Sequence, residues 1–138
     1  MRTYVPKQSC GWSLSKERYQ ELRNFCLQYP RWKIEAASML ELSAMNYDGM
    51  PHSTDPGDPT AKAVERREGL IRKIQLVESC ALRVHGGRWY AAIINNVCNG
   101  MSYEAIRGLH PDWLKSNHTG DFFNARRAFF LLLDREKE

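Results

Sequence analysis

The stretch RWYAAIINNVCNGMSYEAIRGLHPDWLKSNHTGDFFNARRAFFLLLDREKE, residues 88–138, decides how this chain is read. Its first part, Arg88 to Cys98, has Trp89, Ile93, Ile94 and Val97 at helical spacing. That is one apolar stripe of an amphipathic helix. Asn99-Gly100 stops it, because glycine reaches the left-handed conformation without a Cβ clash. Ser102 then opens a short helix over 103–108 as its N-cap, with Glu104 in the positive first turn. After a connection, a final helix runs over 121–136. Its buried face is read as Phe122, Ala125, Phe129, Leu132 and Leu133, flanked by Phe123 and Phe130. Helix, tight turn, short capped helix, connection and final helix is the layout of a helix-turn-helix module.

The opposite side of that final helix carries Asn124, Arg127, Ala128, Leu131 and Arg135. Arginine can bind guanine O6/N7 through two hydrogen bonds, and asparagine can read adenine N6/N7. Asn124, Arg127 and Ala128 are therefore the base-contact candidates. Arg126, at the edge of the apolar face, and Arg107, on the preceding helix, suit phosphates better. Lys115, Ser116, Asn117 and Thr119 lie just before the final helix, whose free N–H groups attract anions. They join the phosphate-contact set together with Arg135. Two plainer readings stand beside this one. The Asn/Arg side is a solvated face, and Thr119 or Asp121 simply caps the helix.

Working outward, the next segment upstream is the longest helix, about Pro59 to Val84, closed by His85-Gly86-Gly87. Ala63, Leu70, Val77 and Val84 fall seven apart, with Ile74 and Ala81 in the interleaved seam and Arg67 its imperfect member. This is about three heptads of coiled-coil-like pattern. It fits either a helix packed along its own domain or a dimer seam through Leu70, Ile74, Val77 and Ala81. Before it, residues 48–58 hold a Pro/Gly-rich linker ending in Asp58 as N-cap and Pro59 at the first helical position. Residues 1–47 contain two helices. One starts at Ser13 or Ser15 and presents Leu14, Tyr19, Leu22, Phe25 and Cys26. The second runs from Trp32 to Met45, after a corner at Tyr29-Pro30-Arg31-Trp32. The expected organisation is all-α: an N-terminal helical region (1–47), the linker (48–58), a long central helix (59–87) and a helix-turn-helix domain (88–138).

Composition narrows the function classes. The 138 residues carry 20 Lys+Arg against 16 Asp+Glu, a net charge of +4. That mild basicity permits an anionic partner without establishing one. The last 51 residues are only +1, from seven basic and six acidic groups. Any DNA contact must then rest on a few oriented side chains. No apolar run approaches the roughly 18–20 residues of a membrane span, and the N-terminus lacks the apolar core of a signal peptide. The four cysteines show no C-x-x-C and read as reduced, packed thiols of a cytoplasmic protein. A centre around His110 and His118 matches no established ligand spacing. For Cys80, His85 and Cys98, which could approach each other around the Gly-Gly corner, separate packed thiols are preferred to a zinc site. There is no P-loop, G-x-G-x-x-G or G-x-S-x-G motif. No catalytic residue, metal or cofactor is assigned.

QYPRWK (28–33), YDGMPHSTDPGDPTAKAVERR (47–67), KIQLVESCA (73–81) and DFFNARRAFFLLL (121–133) together resemble small prophage-encoded proteins of Gram-positive bacteria. These are the RinA/ArpU-like late transcriptional regulators, whose C-terminal helix-turn-helix is similar to region 4 of sigma factors. The resemblance implies DNA recognition by the last helix, here through Asn124, Arg126 and Arg127. The connection Leu109–Gly120 is longer than in a compact module of that kind. The leading expectation is a sequence-specific DNA-binding transcriptional regulator of phage or prophage origin, in the cytoplasm of a bacterial host. Its partners would be double-stranded DNA, with RNA polymerase and a second copy of the chain as further ones, and no membrane. The alternatives are a small terminase-like DNA-packaging component and a protein-interaction module such as an anti-repressor.

Overall fold

The computed structural model describes residues 14–45, 59–116 and 118–137. The Pro/Gly-rich linker, the Asp58 cap and Asn117 lie outside the described residues. Those described form helices and no strand: α1 (Lys16–Leu27), α2 (Tyr29–Met45), α3 (Pro59–Arg83), α4 (Tyr90–Ile93, continued as a wider π-helical turn over Ile94–Cys98), α5 (Tyr103–Leu109) and α6 (Thr119–Glu136). The protein is all-α. None of these helices is long and apolar enough to cross a membrane.

α1 starts where Ser15 Oγ accepts from the Arg18 N–H at 3.1 Å, the geometry of an N-cap. Its buried residues are Tyr19, Leu22 and Cys26, at i, i+3 and i+7. α2 begins three residues earlier than the sequence suggests. The Trp32 N–H already donates to the Gln28 carbonyl at 3.0 Å. Pro30 therefore sits in the first turn, where an absent N–H loses no intrahelical bond. The buried stripe Tyr29, Trp32 and Ala36 lies on α2, which packs along α3.

α3 carries the heptad pattern, but its seam is spent inside the chain. Val77 and Ala81 are fully buried, Leu70 nearly so, and Ile74 packs against the same core. α2 and α6 lie against α3 in the same molecule. A homodimer through Leu70, Ile74, Val77 and Ala81 would require undoing that packing. Arg67, the odd member of the seam, donates its Nε to the Ala36 carbonyl of α2 at 3.2 Å. One further contact locks α2 to α3: Tyr29 Oη donates to Glu78 Oε2 at 2.6 Å.

That bond has a pH signature. Burial, and then the Glu78 carboxylate, push the Tyr29 phenol well above the ordinary tyrosine range. Burial also raises Tyr90. A folded-state pKa above the unfolded one stabilises the fold below the unfolded value, about 10. The stability is lost as pH rises through the folded value. We expect the thermal midpoint to fall steadily above about pH 10, and Tyr29→Phe to shrink that fall. Midpoints unchanged from pH 9 to 11.5 would contradict it.

α3 ends in a left-handed corner. His85, Gly86 and Gly87 have φ of 47°, 68° and 83°. A Cβ on Gly87 would lie 3.2 Å from the Leu82 carbonyl oxygen, so the corner needs glycine there on both counts. It turns the chain into α4, where Ala92, Ile93, Ile94, Val97 and Cys98 are buried. α4 starts at Tyr90 instead of Arg88 and ends in the wide turn, with the Asn99 N–H donating five residues back to Ile94 at 3.3 Å. Cys26, Cys80 and Cys98 are buried free thiols. A hydrogen bond with Cys98, together with burial, holds the Cys26 thiol well above its usual range.

α6 lies at the centre. Phe122, Ala125, Phe129, Phe130 and Leu133 are fully buried. It packs on α3, α1, α4 and the glycine corner. Every residue from 125 to 134 is buried or half-buried, and exposure returns only at its two ends.

Candidate nucleic-acid interface

The α4–α5 corner is built by one glycine conformation and two short-range hydrogen bonds. Gly100 takes φ 71°. Asn96 Nδ2 donates to the Met101 carbonyl at 2.8 Å, and Ser102 Oγ accepts from the Ala105 N–H at 3.1 Å. α5 therefore starts on a side-chain cap, with Glu104 in its first turn and Ile106 buried. The Tyr103 ring lies 5.6 Å from Phe122 and 5.9 Å from Phe123, which fixes α5 against the start of α6. Arg107 and Leu109 are exposed on its outer side.

The connection to α6 is ordered by its own residues. His110 stacks on Trp113 at 3.8 Å, within a single 3-10 turn over Pro111–Trp113. Lys115 Nζ donates to the Asp112 carbonyl at 2.7 Å. Arg88 reaches across to donate Nη2 to the Lys115 carbonyl at 2.8 Å. Ser116 Oγ donates to the Asp121 carboxylate and accepts from the His118 N–H at 3.1 Å. α6 begins at Thr119 behind His118, which gives no side-chain cap. Neither Thr119 nor Asp121 caps this helix. Asp121 acts by pinning the connection through Ser116, while Thr119 Oγ1 donates to Tyr103 Oη at 3.4 Å.

A hollow of about 570 Å³ opens at this junction, lined by His85, Arg88, Trp89, Lys115, Asp121 and Asn124, with Ser116 at its edge. Two cations and one carboxylate give it a formal charge of +1. Asn124 is exposed on α6, together with Thr119, Gly120 and Asp121.

The candidate residues divide as follows. Asn124, Lys115 and Ser116 meet at the hollow. Arg107 is exposed on α5, and Arg135 is exposed at the far end of α6. Ala128 is half-buried and packs against the core, so it offers no free methyl to a base. Arg127 is half-buried, its Nε enclosed and without a hydrogen-bond partner among the described residues. Arg126 is engaged internally. Its Nε donates to Asn96 Oδ1 at 2.9 Å and its Nη1 to Tyr19 Oη at 2.8 Å. The guanidinium carbon also sits 5.0 Å from the Phe130 ring centroid. Arg126 ties α6 to α4 and α1 in place of reaching a phosphate. Arg88 and His85 join the site, although the sequence places Arg88 only at the start of a helix and His85 only at the glycine corner and among candidate zinc ligands. The available signal was a basic residue directly after a glycine corner. Compared with protein-family models, curated proteins and solved structures, the chain matches none.

Proposed function

We propose that this chain is a sequence-specific DNA-binding transcriptional regulator that offers a duplex the first two turns of α6. One observation carries the reading. Exposure on the N-terminal part of α6 is confined to Thr119, Gly120, Asp121 and Asn124, and exposed Arg88 and Lys115 share one hollow with Asp121 and Asn124. Recognition helices of helix-turn-helix modules address base edges with their N-terminal residues. Asn124 is the base reader. Arg88, Arg107 and Lys115 hold phosphates, and Ser116 keeps the Asp121 carboxylate turned into the connection. Arg127 can be recruited by a rotamer change, since no hydrogen bond to its Nε opposes the move. Phage or prophage origin, a bacterial cytoplasm and contact with RNA polymerase rest on the sequence resemblance alone.

The test is an unbiased selection of bound duplexes from a random pool, followed by titrations over a salt series. A consensus should emerge, and binding should weaken with salt by a slope of roughly −0.9 per phosphate held. Lys115→Gln should reduce that slope by about 1 across all sequences. Asn124→Ala should relax preference at one base position by about 1–3 kcal/mol. A pool that enriches nothing rejects the function. Enrichment that survives Asn124→Ala unchanged rejects the reader.

A further inference from the structure

A second cationic hollow lies beside the middle of α3, between it and α2, and nothing in the DNA-binding reading uses it. It is open to solvent and has a volume of about 280 Å³. Its cationic walls are Arg31, Arg66 and Lys73, its one carboxylate is Glu35, and Trp32, Leu70 and Gly69 close the inner side. The three cations come from two helices, Arg31 from α2 and Arg66 and Lys73 from one face of α3, so the cluster is assembled by the packing of α2 on α3. Their positions are set by local contacts. Arg31 Nη2 donates to Gln28 Oε1 at 3.4 Å, Arg66 Nη2 meets Glu35 Oε1 at 2.6 Å, and Lys73 Nζ stands 5.6 Å from the Trp32 ring centroid.

Gly69 gives the hollow its depth. A Cβ built there meets nothing within 4 Å, and its φ lies outside the left-handed region. The backbone therefore does not demand glycine at this helical position, where glycine is a poorer helix former than alanine. What the missing side chain leaves is open space facing three cations. Three positive groups less one carboxylate leave +2. Phosphate is the common biological anion of matching charge, and arginine paired with lysine binds it through forked and point-charge donors together.

We propose that this hollow is a binding site for a phosphomonoester dianion, held by Arg31, Arg66 and Lys73. Glu35 holds Arg66 in place in the empty site and opposes the incoming charge. The site is independent of the α5–α6 junction.

The probe is inorganic phosphate, titrated against the full chain with chloride at matched ionic strength as control. The Gly69 and Lys73 amide resonances report binding. Saturable shifts with phosphate and none with chloride are expected. Lys73→Gln should weaken binding about tenfold. Glu35→Gln should tighten it severalfold, an effect of opposite sign that general loss of structure cannot mimic. Gly69→Glu places a carboxylate in the open space and improves helix propensity, so it should abolish binding while the thermal midpoint holds or rises. Asn124→Ala, which tests the duplex reading, should leave phosphate binding unchanged. A phosphomonoester that competes better than an equal concentration of a phosphodiester assigns a small ligand. The reverse order assigns a polynucleotide backbone and overturns the dianion. Equal shifts with chloride, or binding that survives Gly69→Glu, overturns the site.

Discussion

Phe129→Ala should lower the unfolding free energy by about 3–5 kcal/mol, the range for removing a fully buried phenyl group. Phe129 has no exposed surface and meets Phe130 edge-on at 5.3 Å. It sits on the helix that α1, α3 and α4 all pack against. Domains of this size hold about 5–15 kcal/mol in total, so the variant should unfold at much lower urea with an unchanged denaturant slope. Phe123→Ala, on a half-buried neighbour, should cost clearly less. A loss below about 1 kcal/mol at Phe129 would mean that α6 is not central, and its middle would again be open to a duplex.

The second large effect is expected at Arg126. Replacing it with Ala removes two charge-assisted hydrogen bonds, to Tyr19 and Asn96, and the stacking on Phe130. The combined loss should be about 2–4 kcal/mol in thermal or urea unfolding. Arg126→Lys should recover only part, because an ammonium cannot span two acceptors in the guanidinium fork. A phosphate contact predicts the opposite pattern: unchanged stability, weaker duplex binding and a salt slope smaller by about 1. The two outcomes separate cleanly when both measurements are made on one preparation.

The misplacement of Arg126 shows what a helical wheel can and cannot see. The local features were legible. Ser15 and Ser102 cap the helices that follow them, and Gly86-Gly87 breaks the chain where α3 ends. Each depends on neighbours within a few residues. The wheel of α6 divides it into one apolar side and one polar side, which suits a helix with one partner. Here partners lie on several sides, so Ala128 and Leu131 are drawn inward and Arg126 is captured between rings. A warning was present, since 122–133 contains only three residues that are not apolar, Asn124, Arg126 and Arg127. A helix apolar nearly all round is a core helix. The heptads of α3 were ambiguous for a related reason. Their spacing demands a partner helix without saying whose, and α2 and α6 fill the place. Arg88 could not be located from sequence because its role depends on a tight corner bringing it beside Lys115, 27 residues later.

One contact between distant parts of the chain sets the timing of folding. Arg18 Nε binds Asp134 Oδ1 at 2.7 Å across 116 residues, and its Nη2 binds the Lys137 carbonyl at 2.8 Å across 119. α1 also buries Tyr19 edge-on against Phe130 of α6, at 5.0 Å. On the ribosome, at about 5–20 residues per second, α1 therefore waits roughly 6–24 s for the end of α6, while the Ile94–Cys98 turn that also packs on it is made earlier. Until then Tyr19 lacks its ring partner Phe130 and leaves an apolar patch on α1 that a chaperone can hold. The last-made turn of α6 closes the molecule, and a nascent chain that stalls shortly before Asp134 should be recovered as a protease-sensitive species despite having nearly all of its helices.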